Sequence, residues 1–225
     1  MNFRSGRTVI GTERDGTVKY RLAIFDFDGT LADSFPWFVR VVNGVADRYR
    51  FKRIEEADVD MLRGFSARQM MKHLAVPAWK LPLIMRAMRT MKAADVEQIR
   101  LFAGVDEMLR GLADRGVELA LVTSNSRDNA VRILGPGNAA LFRYYECGMS
   151  MFGKRAGFRR VLCRSGVLRE QAICIGDEIR DVEAAHAEGI AFGAVSWGFT
   201  HLASLRAHSP AEVFATVDEI AARVG

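Results

Sequence analysis

The segment Ile24-Phe-Asp-Phe-Asp-Gly-Thr-Leu-Ala-Asp-Ser34 carries an apolar run directly into two closely spaced carboxylates. Residues 21–25 have the length and apolar content of a buried β-strand, and Gly29 predicts a sharp turn out of it. On extended backbone, Asp26 and Asp28 would project to the same side, where their repulsion requires a cation or a shared proton. A solvated turn is the simpler interpretation, but the flanking apolar residues indicate burial and favour a functional site.

The rest of the chain repeats the pattern of an apolar run that ends on a polar residue. Residues 117–122 precede Thr123, and residues 172–175 precede Gly176-Asp177. Weaker strand patterns cover residues 145–148, 191–195 and 213–217, and helical periodicity covers residues 105–115, 158–164 and 182–188. This alternation predicts an α/β fold with a mostly parallel, doubly wound sheet, in which the ligand site lies at the carboxyl ends of the strands.

Residues 33–100 interrupt this alternation, because they contain no convincing strand pattern. Helical periodicity covers residues 34–50, 66–74 and 79–91, and Ser66 with Gln69 has the spacing of a capping box. We therefore predict an α/β core domain formed by residues 1–32 and 101–225, with an inserted α-helical cap domain formed by residues 33–100. A small hairpin between residues 8–10 and 17–20 is a further expectation, and the role of residues 1–19 stays open.

The composition is that of a globular chain: 225 residues, 49% hydrophobic and 26% charged, with a net charge of +5. No apolar stretch reaches the ~18 residues of a membrane span, and the N-terminal residues lack the apolar region of a signal peptide. The three cysteines are odd in number and lack metal-binding spacing, so we expect a cytoplasmic protein. The basic residues are scattered without an aromatic platform, which argues against nucleic acid as a partner. The oligomeric state, monomer or homodimer, stays open.

A second acidic pair follows the strand predicted over residues 172–175. Asp177 and Asp181 are four residues apart, so a helix beginning near Ile179 would place Asp181 over the turn that holds Asp177. A helix cap is the simpler interpretation of this spacing alone. With the pair at Asp26 and Asp28, however, these hard oxygen ligands suit Mg²⁺.

Phosphate can bind beside so many carboxylates only if cations and hydrogen-bond donors offset their charge. Thr123 offers a hydroxyl at a strand end, with the amides of Ser124 and Asn125 close by. Lys154 precedes the helix predicted over residues 158–164. Taken singly, the threonine is an unremarkable strand end and the lysine one of many solvated cations.

Taken together, the order Asp26-x-Asp28-Gly-Thr, Thr123, Lys154 and Gly176-Asp177-x-x-x-Asp181 resembles the four motifs of the haloacid dehalogenase (HAD) superfamily. The segment Asp-x-Asp-Gly-Thr-Leu-x-Asp-Ser is most similar to the phosphoglycolate-phosphatase-like branch. The resemblance implies an HAD-like Rossmannoid core with an α-helical cap inserted after the first motif. Asp28 argues against dehalogenation, because the dehalogenase branch lacks this second aspartate.

The resemblance also implies a role for each acidic residue. Asp26 would attack phosphorus and form an aspartyl-phosphate, while Asp28 would act as general acid and base. Mg²⁺ would be bound by the carboxylates of Asp26 and Asp177 and by the backbone carbonyl of Asp28. Asp181 would orient a metal-bound water from outside the ligand set.

The remaining motif residues are expected around the substrate. The resemblance implies that the phosphoryl group is held by Thr123 and Lys154, with Gly29, Ser124 and Asn125 beside it. Arg63 stands where the cap loop of this branch meets substrate, and it could pair with a second anionic group. An exposed arginine is an equally good interpretation. Two departures from the family pattern are Arg155, where many relatives have proline, and Glu178, a possible extra ligand.

The sequence thus predicts a cytoplasmic, Mg²⁺-dependent phosphatase that hydrolyses a small phosphorylated metabolite, such as phosphoglycolate or a sugar phosphate. A phosphomutase of the same fold would transfer the phosphoryl group back to a sugar. A phosphonate-cleaving enzyme would need an imine-forming cap lysine, and Lys52, Lys72, Lys80 and Lys92 cannot be placed from sequence. A non-catalytic phosphometabolite-binding protein is the third alternative, and the intact motif set argues against it.

Overall fold

The computed structural model describes residues 18–225 as eight β-strands and ten α-helices, with short 3₁₀ turns between some of them. The strands are β1 (Leu22–Phe25), β2 (Ala32–Asp33), β3 (Arg100–Leu101), β4 (Glu118–Val122), β5 (Phe142–Glu146), β6 (Ala172–Gly176), β7 (Ala191–Val195) and β8 (Glu212–Phe214). The helices are α1 (Phe35–Tyr49), α2 (Val59–Leu62), α3 (Ala67–His73), α4 (Leu81–Ala94), α5 (Val105–Asp114), α6 (Arg127–Leu141), α7 (Lys154–Ser165), α8 (Ile179–Glu188), α9 (Leu202–Arg206) and α10 (Val217–Val224). None of these helices has the length and apolar character needed to cross a bilayer.

Six strands form one parallel sheet in the order β5-β4-β1-β6-β7-β8. This arrangement confirms the predicted doubly wound α/β fold. The central strand β1 is buried on both faces: Ala23 and Phe25 pack into one apolar cluster, and Leu22 and Ile24 into the other. Side chains alternate across a strand, so a central strand between two helical layers must be apolar throughout.

Several element bounds differ from the sequence-based predictions. Strand β5 begins earlier than the predicted residues 145–148, and β8 ends before Val217, which instead begins α10. Helix α7 begins at Lys154 and therefore includes it, whereas the sequence pattern placed this lysine before the helix. Helix α6 was not predicted, because Gly135 interrupts it with non-helical backbone (φ +73°) ahead of Pro136.

Helices α1 to α4 lie between β2 and β3, and we call residues 34–99 the helical insertion. Contrary to the prediction of no strand in residues 33–100, β2 and β3 pair with each other, Ala32 opposite Leu101 and Asp33 opposite Arg100. This short antiparallel ribbon holds together the segment that enters the insertion and the segment that leaves it. The predicted capping box at Ser66 and Gln69 is confirmed. The division into core and cap domains stays a prediction, and the proposed hairpin lies mostly outside the described residues.

Candidate active site

Three polar residues lie at the carboxyl ends of three adjacent strands, as the sequence pattern predicts. Asp26 follows β1, Thr123 follows β4 and Asp177 follows β6, and all three are buried. The backbone continues the sheet pairing into this region, because the Asp26 N–H donates to the carbonyl of Ile175 (2.9 Å). The strand ends therefore bring together groups that are about 150 residues apart in sequence.

Asp26, Asp177 and Asp181 form a buried cluster in which one carboxylate oxygen from each lies within 4.8 Å of the others. Helix α8 begins at Ile179, which places Asp181 in its first turn. Oδ2 of Asp181 accepts a hydrogen bond from the backbone N–H of Glu178 (3.3 Å), and this contact turns the side chain back towards the strand end. We call these three residues the carboxylate cluster.

Lys154 supplies a buried positive charge directly to this cluster. Its Nζ lies 2.6 Å from Oδ2 of Asp26 and also contacts Oδ1 of Asp181. These charge contacts are close but poorly aligned, which leaves the three atoms without a well-directed hydrogen bond. Burial lowers the pKa of Lys154, but Asp181 and Asp26 raise it more, so the lysine stays protonated.

One ammonium cannot neutralise three buried carboxylates. Burial raises the pKa of Asp26 from 3.8 to about 7, although Lys154 opposes the shift. Burial also raises the pKa of Asp177 well above its usual range, and the charge of Asp26 adds to this effect. A cluster of hard oxygen donors with uncompensated negative charge and unsatisfied carboxylate oxygens fits a divalent metal ion.

Asp177 is fixed by residues of two loops. Thr30 Oγ1 donates to Oδ1 of Asp177 (2.8 Å), and the N–H of Phe199 donates to Oδ2 (2.7 Å). Gly29 has a φ of +82°, and a Cβ there would lie 2.3 Å from Oδ2 of Asp177. The glycine is therefore required both for the turn and for the approach of Asp177. Neither hydrogen bond was predicted from sequence, although Thr30 belongs to the quoted motif.

Asp28 lies outside the carboxylate cluster and contacts the helical insertion. Lys92, a buried residue of α4, places Nζ 2.5 Å from Oδ1 of Asp28 and over the ring of Trp37. Asn125 Nδ2 approaches Oδ2 of Asp28 at 3.4 Å. Because β1 ends at Phe25, strand alternation does not set the direction of Asp28. The sequence does not identify Lys92, because 64 residues separate it from Asp28.

Ser124 and Asn125 follow Thr123 at the end of β4, and both backbone and side-chain groups tie them to their surroundings. The N–H of Asn125 donates to Oγ1 of Thr123 (3.0 Å). The carbonyl of Ser124 accepts a hydrogen bond from Nε of Arg89 on α4 (2.8 Å). These contacts place the loop between the strand end and the insertion. Its position beside the phosphate stays a prediction.

Arg63 joins the insertion to the loop after β7. Its Nε donates to the carbonyl of Phe199 and one terminal nitrogen to the carbonyl of Gly198, both at 3.0 Å. These two donors are therefore engaged within the protein. The role of Arg63 in binding an anionic substrate group stays a prediction.

The two departures from the family pattern also have structural partners. Arg155 pairs with Glu188 of α8 at 2.6 Å, so it points away from the carboxylate cluster while the adjacent Lys154 points into it. Glu178 pairs with Arg180 at 2.5 Å. Burial raises the pKa of Glu178, but Arg180 and Lys154 lower it more, so this carboxylate stays charged.

Comparisons with known proteins identify the family of the chain. The family model for haloacid dehalogenase-like hydrolases matches residues 23–195. A phosphoglycolate phosphatase of Synechococcus elongatus is 34% identical over 188 residues, which cover 83% of this chain and 89% of the relative. A 5'-nucleotidase of Pseudomonas aeruginosa is 27% identical over 210 residues, covering 88% of this chain and 92% of the relative.

Solved structures show the same fold. A haloacid dehalogenase-like hydrolase from Streptococcus pneumoniae superposes with a TM-score of 0.74 at 21% identity, covering 91% of this chain and 98% of that one. CbbY from Rhodobacter sphaeroides, solved in complex with phosphate, gives a TM-score of 0.68 at 18% identity, covering 89% and 96%. The family-model match and the 34% identical phosphoglycolate phosphatase show that the chain belongs to the haloacid dehalogenase-like hydrolase family, as a phosphatase of its phosphoglycolate-phosphatase-like branch.

Proposed function

We propose that this protein is a Mg²⁺-dependent phosphatase that hydrolyses small phosphomonoesters through an aspartyl-phosphate on Asp26. The observation that carries the proposal is the buried carboxylate cluster at the strand ends, with Lys154 against Asp26. The cluster fits a metal, and the lysine supplies the charge that an incoming phosphate needs. The phosphatase names of the two relatives support the same reaction class.

The metal would be held by the carboxylates of Asp26 and Asp177 and by the backbone carbonyl of Asp28, with Asp181 orienting a water beside it. When bound, Mg²⁺ would supply positive charge that neutralises the carboxylates and the phosphoryl oxygens. It would thereby favour the ionised form of Asp26 and oppose the effect of burial, which raises the pKa of this carboxyl from 3.8 to about 7.

Each half-reaction then uses a named group of the chain. In the first, a carboxylate oxygen of Asp26 forms a bond to phosphorus, the bond to the alcohol oxygen breaks, and Asp28 donates a proton to that oxygen. In the second, Asp28 takes a proton from water, the water oxygen bonds to phosphorus, and the carboxylate of Asp26 leaves. Lys154 and Thr123 would hold the phosphoryl oxygens throughout.

Release of inorganic phosphate from a panel of metabolite phosphates tests this proposal. The panel should contain phosphoglycolate and a nucleoside monophosphate, which the relatives' names suggest, and a sugar phosphate, which the sequence analysis suggests. We expect turnover with MgCl₂, its loss in EDTA and its return on addition of Mg²⁺. Full activity in EDTA would contradict the metal requirement.

The same assay separates the alternatives. A phosphomutase would yield an isomerised sugar phosphate in place of free phosphate, and a binding protein would give saturable binding without turnover. The position of Lys92 against Asp28 makes phosphonate cleavage a defined alternative, which borohydride trapping of a Lys92 imine would reveal. A cytoplasmic location, and the absence of nucleic-acid and membrane partners, stay predictions.

A further inference from the structure

A cavity of about 540 Å³ lies between the helical insertion and the strand ends. Asp28, Ser124 and Asn125 line it on the side of the core, and α1, α3 and α4 form much of its remaining wall. Its volume is in the range of sites that hold drug-sized ligands, about 300–1,000 Å³. Phosphoglycolate, whose alcohol is a two-carbon hydroxy acid, would leave most of this space unfilled.

The wall of the cavity is largely apolar. Five of the chain's ten methionines line it, together with several phenylalanines. Phe38, Phe65, Met85 and Met88 are only partly buried, so their apolar surface is available to a ligand. Methionine side chains are flexible and polarisable, and they accommodate apolar groups of varied shape.

The cationic side chains that line the cavity, among the described residues, are all engaged with protein groups. Lys92 contacts Asp28, and Arg63 donates to the carbonyls of Gly198 and Phe199. Arg89 donates to the carbonyls of three core residues, Ser124, Gly148 and Met149. Arg180 pairs with Glu178. A substrate carboxylate would therefore have to displace one of these contacts, and its desolvation would be poorly compensated.

Among the described residues that line this wall, the buried polar side-chain atom that has no partner is uncharged. It is Oγ of Ser34, which is fully buried where the chain enters α1. A hydroxyl can bond to one neutral oxygen or nitrogen of a ligand, but it offers no positive charge. The wall therefore suits a ligand body that is mostly apolar and uncharged.

We infer that the alcohol released by this enzyme is a predominantly apolar alkyl or aryl group that occupies the cavity. This inference rests on the proposed function, because it places the phosphate at Asp26 and the leaving oxygen at Asp28. Asp28 is the cavity-lining residue proposed to protonate that oxygen, so the leaving alcohol begins at the cavity wall. The apolar body then extends between the helices of the insertion, and selectivity comes from burial of that body.

A series of n-alkyl phosphates from ethyl to hexyl tests the inference. Burial of one methylene changes an equilibrium or rate constant by roughly fourfold. We expect kcat/KM for phosphate release to rise about threefold to fourfold per added methylene and to exceed the value for phosphoglycolate. A flat series, or a preference for phosphoglycolate over hexyl phosphate, would overturn the inference while leaving the proposed function intact.

Binding of n-alkylphosphonates, which cannot be hydrolysed, tests the apolar site independently of the proposed phosphatase function. Calorimetry should show an affinity that rises with chain length by the same factor, whether or not the enzyme turns over. If phosphate esters are not hydrolysed but this trend is present, the proposed function fails and the apolar site stands. An affinity that does not depend on chain length would contradict the proposed apolar site.

A pair of substitutions on α4 locates the effect. Met85 lines the cavity, whereas Leu83 is 51% exposed and lies outside its lining. Met85→Gln keeps the side-chain length but places an amide in the apolar wall, so we expect the hexyl-to-ethyl ratio of kcat/KM to fall at least fivefold. Leu83→Gln should leave this ratio unchanged. Equal ratios in both variants, with thermal unfolding showing that both are folded, would contradict the assigned position.

Discussion

The carboxylate cluster and the cavity beside it differ in their charge: the cluster contains buried charges that are incompletely paired, whereas the cavity is largely apolar. The cluster buries three carboxylates around one lysine and leaves Oδ2 of Asp26 without an aligned partner. The cavity has apolar walls, and every cation among its described lining residues already contacts a protein group. In the proposed function the first region is completed by a metal and an anion, whereas the second needs neither. We therefore propose that the chemistry depends mainly on the carboxylate cluster and the substrate selectivity mainly on the cavity.

Removing the proposed nucleophile should have the largest effect. Asp26→Asn keeps the shape of the side chain but cannot form the aspartyl-phosphate, so kcat should fall by about three orders of magnitude or more. Phosphate release from any substrate of the wild-type enzyme measures the loss. Asp114→Asn, an exposed aspartate at the end of α5, serves as the matched control. Near-wild-type turnover by Asp26→Asn would contradict the proposed covalent mechanism.

Removing the buried lysine should damage both activity and stability. Lys154→Met leaves the carboxylates of Asp26 and Asp181 buried without their cation, and breaking such a pair costs about 3–5 kcal/mol. We expect Tm in EDTA to fall by roughly 10 °C, as measured by thermal unfolding. Lys72→Met, at an exposed position of α3, should leave Tm near the wild-type value. Equal Tm values for the two variants would show that the cluster does not depend on this charge.

The contact between Lys92 of the helical insertion and Asp28 links the two regions. Lys92→Met removes a charge-assisted contact to the proposed general acid, which typically contributes about 1.5–3 kcal/mol, so kcat should fall about tenfold to hundredfold. Lys92→Arg keeps the charge and should recover part of the rate. Steady-state kinetics on one substrate compare kcat among the wild type and the two variants. An unchanged kcat in Lys92→Met would assign Lys92 a purely structural role.

The pH dependence of stability should show the smallest effect. Burial raises the pKa of Asp26 from 3.8 to about 7, so the folded state binds this proton more tightly than the unfolded state. The resulting stability is fully present below pH about 4 and is lost as pH rises through about 7. In EDTA, Tm should therefore fall by a few degrees between pH 5 and 8.

Two further measurements test whether the pH dependence of Tm arises from the carboxylate cluster. Asp26→Asn removes the titrating group, so its Tm should depend less on pH than that of the wild type. Mg²⁺ should raise Tm more at pH 8 than at pH 5, because a cation favours the ionised carboxylates. A Tm that rises from pH 5 to pH 8 in EDTA, equally in both proteins, would contradict the assignment.

Much of the core and its motifs could be predicted from local sequence. The apolar run that ends at Phe25 and the runs that precede Thr123 and Asp177 became three adjacent strands of one sheet. The prediction succeeded because a buried parallel strand must be apolar throughout and its polar successors must lie at one edge. The same regularity brought Lys154 and Asp181 into contact across the site.

Other features depended on contacts that local sequence does not encode. The β2–β3 ribbon pairs residues from the two ends of the insertion, and each strand is only two residues long. Lys92 was one of four insertion lysines that the sequence could not distinguish, and α4 packing placed it against Asp28. The hydrogen bonds from Arg63 to two backbone carbonyls could not be predicted from sequence either, because the positions of the carbonyls follow from the fold.

The sequence by itself determined that Asp26 follows a buried strand in a four-part acidic and basic motif. Local hydrophobicity, turn residues and spacing carry that information, since each acts within a few neighbouring residues. Only the tertiary structure decided the shape and lining of the cavity in which we place the departing alcohol. The cavity is enclosed by side chains from several helices, and its size and polarity depend on how those helices pack over the strand ends.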